Sequence, residues 1–193
     1  MRELRETILR QGQCVGDSIV KVDMFLNHRL DTRLMFAMGR ELADYFGKDK
    51  PDIVLTVEAS GIALALAAAH FLDDIPVVFA KKSLAANQSA DMLTAVAHSF
   101  THGNDNALRV DRRYLPAGSC VLVVDDFLAD GEASRALISI VEQAGCMLVG
   151  VGIAVEKGFQ PGGRKLREAG VNLKSLAIVT SIQDGRIQLA DDD

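Results

Sequence analysis

The sequence predicts an α/β fold with a mainly parallel, twisted sheet flanked by helices. One reason is that five short apolar runs, rich in β-branched residues, alternate with segments of helical character. Another is that a chain of 193 residues, of which 49% are hydrophobic, can bury the core of one domain without a metal or disulfide. Ligands of such sheets bind beyond the carboxyl ends of the strands, so the loops there are the candidate site.

The predicted elements follow one another from residue 31 onward. A helix over residues 31–46 has apolar residues at four-residue spacing, with Asp31 as its N-cap and Gly47 at its end. Further helices are expected over 62–72, over 131–144 and in a short stretch ending at Gly170. The five predicted strands cover residues 53–57, 76–80, 120–124, 147–155 and 175–180. Two hairpins are predicted, over residues 94–114 and 182–190. The polar segment 81–91 is expected to be a mobile loop.

Composition and charge exclude several classes of function. The formal net charge of −5 argues against broad binding to nucleic acid, although a small phosphorylated ligand can still bind locally. No apolar run reaches the ~18 residues of a membrane span, and residues 1–10 lack a signal-peptide pattern. Cys14, Cys120 and Cys146 have neither metal nor redox spacing, which favours free thiols in a reducing compartment. We therefore expect a cytoplasmic protein without a membrane or nucleic-acid partner.

The strongest chemical signal follows the predicted strand at residues 120–124. Asp125 and Asp126 come at its carboxyl end, and a short loop containing Gly131 then leads into a helix. Free backbone N–H groups at a helix start suit a phosphate, whereas two carboxylates suit sugar hydroxyls or Mg²⁺. The combination favours a sugar phosphate as ligand. Spacing alone leaves an alternative open, in which the two acids end a strand in water and Asp130 caps the helix.

The stretch from Val121 to Ala133 resembles the phosphoribosyl-diphosphate (PRPP) motif of type I phosphoribosyltransferases. Other segments are more specifically similar to the xanthine phosphoribosyltransferases and occur in that family's order, at residues 21–28, 60–63, 77–80, 125–129 and 156–162. The resemblance implies the type I phosphoribosyltransferase fold over residues 1–193 as a single domain. It implies a small hood contributed by about residues 1–46 and 156–190, and a homodimer.

The activity that the resemblance implies is transfer of the 5-phosphoribosyl group from PRPP to xanthine, giving xanthosine 5′-phosphate and diphosphate. Mg²⁺ would be carried by PRPP, and no residue of the chain is predicted to bind a metal by itself. Asp125 and Asp126 would be catalytic, holding the ribose hydroxyls and supporting the positive charge of the transition state. The residues expected to bind PRPP are Ala129, Asp130, Gly131, Glu132 and Ala133. The residues expected to bind diphosphate are Ala59, Ser60, Gly61 and Lys81 or Lys82.

The same resemblance places Val20, Asn27 and Lys157 at the base. The exocyclic groups of xanthine are oxygens at C2 and C6, which only accept hydrogen bonds. A lysine only donates and is positively charged, so Lys157 suits an oxygen and disfavours the amino group of adenine. Val20 would pack near the ring. Lys157 could instead end its strand in solvent.

Two features leave alternatives open. The loop carries the carboxylates of Asp130 and Glu132 where relatives often have neutral residues, and these charges are unfavourable if they face a phosphate. The function could also be that of a PRPP-sensing regulator without catalysis, or of a sister enzyme that uses guanine or hypoxanthine.

Overall fold

The structure is a computed structural model that describes residues 1–83, 91–98 and 105–191. The helices in these residues are α1 (Arg2–Gln11), α2 (Thr32–Phe46), α3 (Gly61–His70), α4 (Glu132–Gln143) and α5 (Gly162–Glu168). The first strands are β1 (Gln13–Val15), β2 (Ile19–Lys21), β3 (Ile53–Val57), β4 (Val77–Ala80) and β5 (Met92–His98). The later strands are β6 (Asp105–Asp111), β7 (Cys120–Leu128), β8 (Met147–Lys157), β9 (Leu173–Gln183) and β10 (Arg186–Leu189). A π-helical turn covers Asp23–Asn27.

A six-stranded sheet with the order β10–β9–β8–β7–β3–β4 forms the centre of the molecule. Neighbouring strands from β9 to β4 are parallel, and β10 returns antiparallel to β9. The turn between β9 and β10 holds Asp184 and Gly185 at positive φ, as the Asp-Gly pair predicted. The predicted α/β class with a mainly parallel sheet is therefore confirmed.

Helices cover both faces of this sheet, and alternate residues of β7 point into two separate cores. Leu122 and Val124 belong to the core shared with α2 and α3. Val121 and Val123 belong to the core shared with α4. A strand with apolar partners on both faces needs a continuous apolar sequence, which is why this run was recognisable.

Helix α2 forms where its sequence pattern predicted. The Asp31 carboxylate caps it by accepting a hydrogen bond from the Leu34 backbone N–H at 3.1 Å, and the helix ends at Phe46. Its Gly39 lies so close to α3 that a Cβ there would come within 2.5–2.7 Å of Ala67 atoms. The absence of a side chain at Gly39 lets the two helices pack closely.

Several elements differ from the predicted boundaries. β7 continues to Leu128 because it pairs with β8 as far as the Leu128–Glu156 pair, so Asp125 and Asp126 lie within the strand. β8 and β9 are longer than predicted for the same reason. The predicted hairpin arms pair as β5 and β6, whereas residues 84–90 of the predicted mobile loop and the hairpin turn at 99–104 lie outside the described residues.

The N-terminal residues form elements that the sequence analysis did not predict. α1 buries Leu4 and Ile8, and its Arg5 guanidinium donates to the Ala190 carbonyl near the end of the described chain. β1 and β2 form a separate two-stranded sheet. The hood over residues 1–46 and 156–190 stays a prediction. None of the described helices is long and apolar enough to cross a membrane.

Candidate active site

A cavity of about 300 Å³ opens where β3 and β7 end. The residues after β3 contribute Glu58 and Ser60 to its wall, and the end of β7 with the following loop contributes residues 125–134. Parallel strands present their carboxyl ends at one edge of the sheet, so the two predicted loops meet here.

Asp126 is the polar centre of this cavity. The Ser60 hydroxyl donates a hydrogen bond to its Oδ1 at 2.9 Å, and the Asn27 amide donates to its Oδ2 at 3.2 Å. The residue is 6% exposed, so these two donors hold its carboxylate in a low-dielectric environment where its position is well defined. The structure thus brings together residues predicted separately for ribose, diphosphate and base.

Asp125 has a different environment although it is the next residue. Its Oδ1 accepts a hydrogen bond from the Asp126 backbone N–H at 3.0 Å, and the residue is 5% exposed. Burial raises the pKa of the Asp125 carboxyl well above its usual range, the charge of Asp126 raises it further, and that of Lys82 opposes the shift. An ionised Asp125 is therefore costly until positive charge arrives in the cavity.

Gly61 begins α3 directly against the Asp125 carboxylate. A Cβ at this position would overlap the Thr56 hydroxyl and lie 2.7 Å from Asp125 Oδ1. The Thr56 hydroxyl oxygen is buried and accepts or donates no hydrogen bond within the described part of the chain. Only glycine leaves this corner of the site unchanged.

The loop after β7 is fixed by a contact with α5. Gly131 has a φ of +84°, which only glycine adopts readily, and the Gly162 backbone N–H donates to the Ala129 carbonyl at 3.0 Å. Ala129 to Ala133 line the cavity together with the start of α4. The Glu132 carboxylate forms an ion pair with Arg135 one turn later, which partly neutralises its charge.

Lys157 ends β8 and extends toward the turn between β1 and β2. Its Nζ donates to the Ser18 carbonyl at 3.4 Å and lies 5.8 Å from the centroid of the Phe127 ring. Burial lowers the pKa of Lys157, and the charge of Asp130 opposes that shift. Asp130 therefore acts electrostatically on the lysine. Val20 is buried in β2, two residues beyond the Ser18 contact.

The two lysines after β4 have different positions. The Lys81 backbone forms a bridge with Arg109, whereas the Lys82 backbone N–H donates to Glu58 Oε1 at 2.7 Å. Lys82 lines the cavity and Lys81 does not appear in its wall. Which of the two contacts diphosphate stays a prediction.

Comparison with known proteins shows the family of the chain. A family model described as the phosphoribosyl transferase domain matches residues 26–184, a range that includes Asn27, both aspartates and Lys157. The chain belongs to the phosphoribosyltransferase family.

Curated relatives of this phosphoribosyltransferase align over nearly its whole length. It is 44% identical to a xanthine phosphoribosyltransferase of Ruminiclostridium cellulolyticum, over 99% of this chain and 100% of the relative. It is 45% identical to one of Clostridioides difficile, over 97% and 99%. It is 47% identical to one of Heliobacterium modesticaldum, over 98% and 100%.

Solved structures of adenine phosphoribosyltransferases share the fold. The enzyme from Rhodothermus marinus matches with a TM-score of 0.74 and 22% identity, covering 93% of this chain and 100% of that one. The enzyme from Saccharomyces cerevisiae matches with a TM-score of 0.72 and 23% identity, covering 91% and 99%. At these identities the comparison establishes the fold of the phosphoribosyltransferase. It does not show which purine base the protein uses.

Two polar contacts of this phosphoribosyltransferase were not predicted from the sequence. One is the contact of Glu58 with Lys82, and the other is a buried cluster around Glu156, the residue before Lys157. The sequence did contain a signal for the Glu156 cluster. A glutamate within a buried apolar strand needs a hydrogen-bonding or charged partner. No group of three or more His, Cys, Asp or Glu side chains among the described residues is arranged to hold a metal ion.

Proposed function

We propose that this phosphoribosyltransferase transfers the 5-phosphoribosyl group from PRPP to xanthine, producing xanthosine 5′-phosphate and diphosphate in purine salvage. The observation that carries the proposal is the 44–47% identity to xanthine phosphoribosyltransferases over nearly the full chain. The position of Lys157 at the end of β8 supports it, because a half-buried cation suits a base whose exocyclic groups are all oxygens.

In the proposed reaction, diphosphate leaves C1 of the ribose and positive charge develops on the sugar. Asp126 would hold the ribose hydroxyls, since Ser60 and Asn27 already fix its carboxylate. Asp125 would respond most strongly to the developing charge, because its burial makes the ionised form costly in the free protein. The Asp126 carboxylate, which is already held in place, would stabilise positive charge on the ribose without reorganisation, and Asp125 would add its charge once positive charge in the cavity offsets the cost of its ionisation.

Substrate phosphates would be held at two places in the cavity. Backbone N–H groups of residues 129–133, at the start of α4, suit the 5′-phosphate. Ala59, Ser60 and Gly61, at the start of α3, suit the diphosphate, with Lys81 or Lys82 supplying positive charge. Mg²⁺ would arrive as part of the PRPP complex and neutralise the diphosphate. The carboxylates of Asp125 and Asp126 suit the ribose that such a complex presents.

Asn27 would connect the ribose site with the base site. Its amide nitrogen donates to Asp126, which leaves its carbonyl oxygen as an acceptor for an N–H of the purine. Lys157 would donate to the C2 oxygen, the exocyclic group that hypoxanthine lacks, and Val20 would pack beside the ring. Asp130 would help to keep Lys157 protonated, because its negative charge opposes the effect of burial.

The proposal extends to location and assembly. We place the enzyme in the cytoplasm, because Cys14, Cys120 and Cys146 are free and at least partly accessible, which suits a reducing compartment. We also propose a homodimer. Light scattering coupled to gel filtration tests this directly, since a monomer has a mass of 20.8 kDa.

The test of the function is a product assay with the purified protein, PRPP and Mg²⁺. Xanthine, hypoxanthine, guanine and adenine are supplied separately, and nucleotides are separated by chromatography. We expect xanthosine 5′-phosphate to form with the highest kcat/KM. Preference for adenine or guanine would contradict the proposed base. PRPP binding without any nucleotide product would contradict catalysis and favour a PRPP-sensing regulator.

A further inference from the structure

A buried carboxylate lies next to the proposed base-binding lysine. Glu156 is 3% exposed, although it carries a charge and directly precedes Lys157 in β8. Successive residues of a strand point to opposite faces, so Glu156 points away from the face that Lys157 occupies. Its carboxylate therefore lies on the opposite face of β8 from Lys157.

The partners of Glu156 come from two elements that follow it in the chain. Arg167 of α5 donates one guanidinium nitrogen to each carboxylate oxygen, both at 2.7 Å. Ser175 of β9 donates its hydroxyl to Oε2 at 2.5 Å. A bidentate pair of this kind fixes direction as well as distance, because the guanidinium fork has rigid geometry.

Helix α5 lies between this carboxylate and the phosphate loop of residues 129–131. On one side, a Cβ on Gly162 would come within 2.6 Å of the Gly131 nitrogen and 2.8 Å of the Asp130 carbonyl carbon. On the other side, a Cβ on Gly163 would lie 2.5 Å from the Glu156 carboxyl carbon and 2.7 Å from Arg167 Nη1. Two consecutive glycines thus bring the helix into backbone contact with both.

We propose that the Glu156–Arg167 pair is a positioning device that sets the phosphate loop and Lys157 at a fixed separation. The pair ties α5 to β8 beside the lysine, and the first residue of α5 supports the loop through the Gly162–Ala129 hydrogen bond. PRPP binding and base choice therefore depend on one ion pair that touches neither substrate. This inference rests on the proposed function.

The energetics of such a pair favour this interpretation. An ion pair adds little net stability when one of its ions is buried, because the Glu156 carboxylate loses its hydration. Its removal on one side leaves an unpaired charge, so loss of stability and loss of position have to be separated experimentally. Arg167 retains 43% side-chain exposure, so the pair sits at the edge of the core.

The first experiment compares Arg167→Met with the control Arg164→Met. The control removes the same positive charge from an exposed position of the same helix. Arg167→Met is expected to raise the KM for PRPP at least about fivefold and to lower the xanthine preference over hypoxanthine by a similar factor. Arg164→Met should leave both unchanged. Arg167→Lys, which keeps the charge without the fork, should restore part of each.

The double variant Glu156→Gln with Arg167→Met separates position from stability. Removing the unpaired charge should return the melting temperature toward that of the unmodified protein, while the raised KM and weakened preference persist. The proposal would be overturned if the melting temperature, the KM for PRPP and the xanthine preference all recovered together in the double variant. It would also be overturned if Arg167→Met folded and kept its KM and preference unchanged. If Arg167→Met does not fold, the double variant carries the test. An unmodified protein that makes no xanthosine 5′-phosphate would instead contradict the proposed function.

Discussion

Asp125 and Asp126 are chemically identical neighbours, yet the fold gives them different environments. Asp126 receives hydrogen bonds from two side chains, whereas Asp125 has one backbone donor and is buried against α3. The hydrogen bonds to Asp126 fix the position of its carboxylate. The burial of Asp125 makes ionisation of its carboxyl group costly. A pair of this kind can hold a sugar and also respond to charge that develops on it.

Replacement of Asp125 by Asn is expected to lower kcat by at least ~100-fold, equivalent to about 2.7 kcal/mol, because a charge facing the transition state is lost. Asp126→Asn should lower kcat by a similar factor. Steady-state assays with PRPP and xanthine measure both. Near-normal turnover in the two variants would remove the proposed catalytic role of the pair.

Asp125→Asn should also stabilise the ligand-free protein. The folded pKa of Asp125 is raised above the unfolded value of ~3.9, so folding favours the protonated form and stability is lost as the pH rises above that value. Asn removes this cost, and the gain in melting temperature should be small near pH 4 and grow toward neutral pH. A melting temperature below that of the unmodified protein at neutral pH would contradict the assigned environment.

Asp130→Asn tests the electrostatic link to the base. The charge of Asp130 raises the pKa of Lys157, so its removal lets burial lower that pKa further. Xanthine binding through a protonated lysine should then weaken at a lower pH than in the unmodified protein. The KM for xanthine measured across pH in both proteins isolates this shift, since the ionisation of xanthine is common to them. Coincident profiles would show that the Asp130 charge does not act on Lys157.

Residue types and spacing made Asp125 and Asp126 candidates for a sugar-phosphate site, but left open that they merely end a strand in water. The same approach could not determine what Asp130 and Glu132 face. That depends on Arg135, one turn along α4, and on Lys157, which only the sheet order brings near. The resemblance, and not the pattern, supplied Asn27 and Lys157.

At the scale of elements, the start of α3 shows how a backbone position supports a side chain. Gly61→Ala is expected to push the added Cβ against Thr56 and Asp125, lowering kcat roughly tenfold or more and stability by about 1–3 kcal/mol. Gly47→Ala is the matched control. There the φ is −59° and the nearest atom to a Cβ is 3.5 Å away, so Ala should be neutral or slightly stabilising.

Kinetics and thermal melting of the two glycine variants provide the measurement. Equal behaviour of both proteins would show that the Gly61 position tolerates a side chain and that the Asp125 carboxylate is not held there. Loss of stability with full activity in Gly61→Ala would limit the position to a packing role.

The elements that the sequence predicted best are those whose environment is uniform. β3 and β7 are enclosed on both faces, and α2 has one apolar face with an aspartate cap. α1 was missed although its buried residues Leu4, Thr7 and Ile8 have helical spacing, because one of the three is polar and charged residues dominate the rest of the segment. The end of β7 was placed too early, because its last residues are held by pairing with β8 rather than by apolar composition.

At the scale of the whole molecule, the site combines distant parts of the chain. Asn27 reaches Asp126 across 99 positions, and Lys157 reaches Ser18 across 139. The parallel strands β7 and β8 bring Asp126 and Lys157 to one edge of the sheet, and the segment before β3 reaches that edge with Asn27 and Ser18. Local sequence patterns contain no information about such distances, so the overall fold was predictable and the base contacts were not.

The most direct test of the account is the ratio of kcat/KM for xanthine to that for hypoxanthine, measured in the unmodified protein and in Lys157→Met. An unpaired oxygen acceptor costs ~1–3 kcal/mol, so the xanthine value should fall roughly ten- to a hundredfold in the variant. The hypoxanthine value should fall much less, because that base has no C2 oxygen. Lys165→Met, at an exposed position of α5, is the control and should leave the ratio unchanged. Equal losses for the two bases, or no loss, would contradict recognition of xanthine by Lys157.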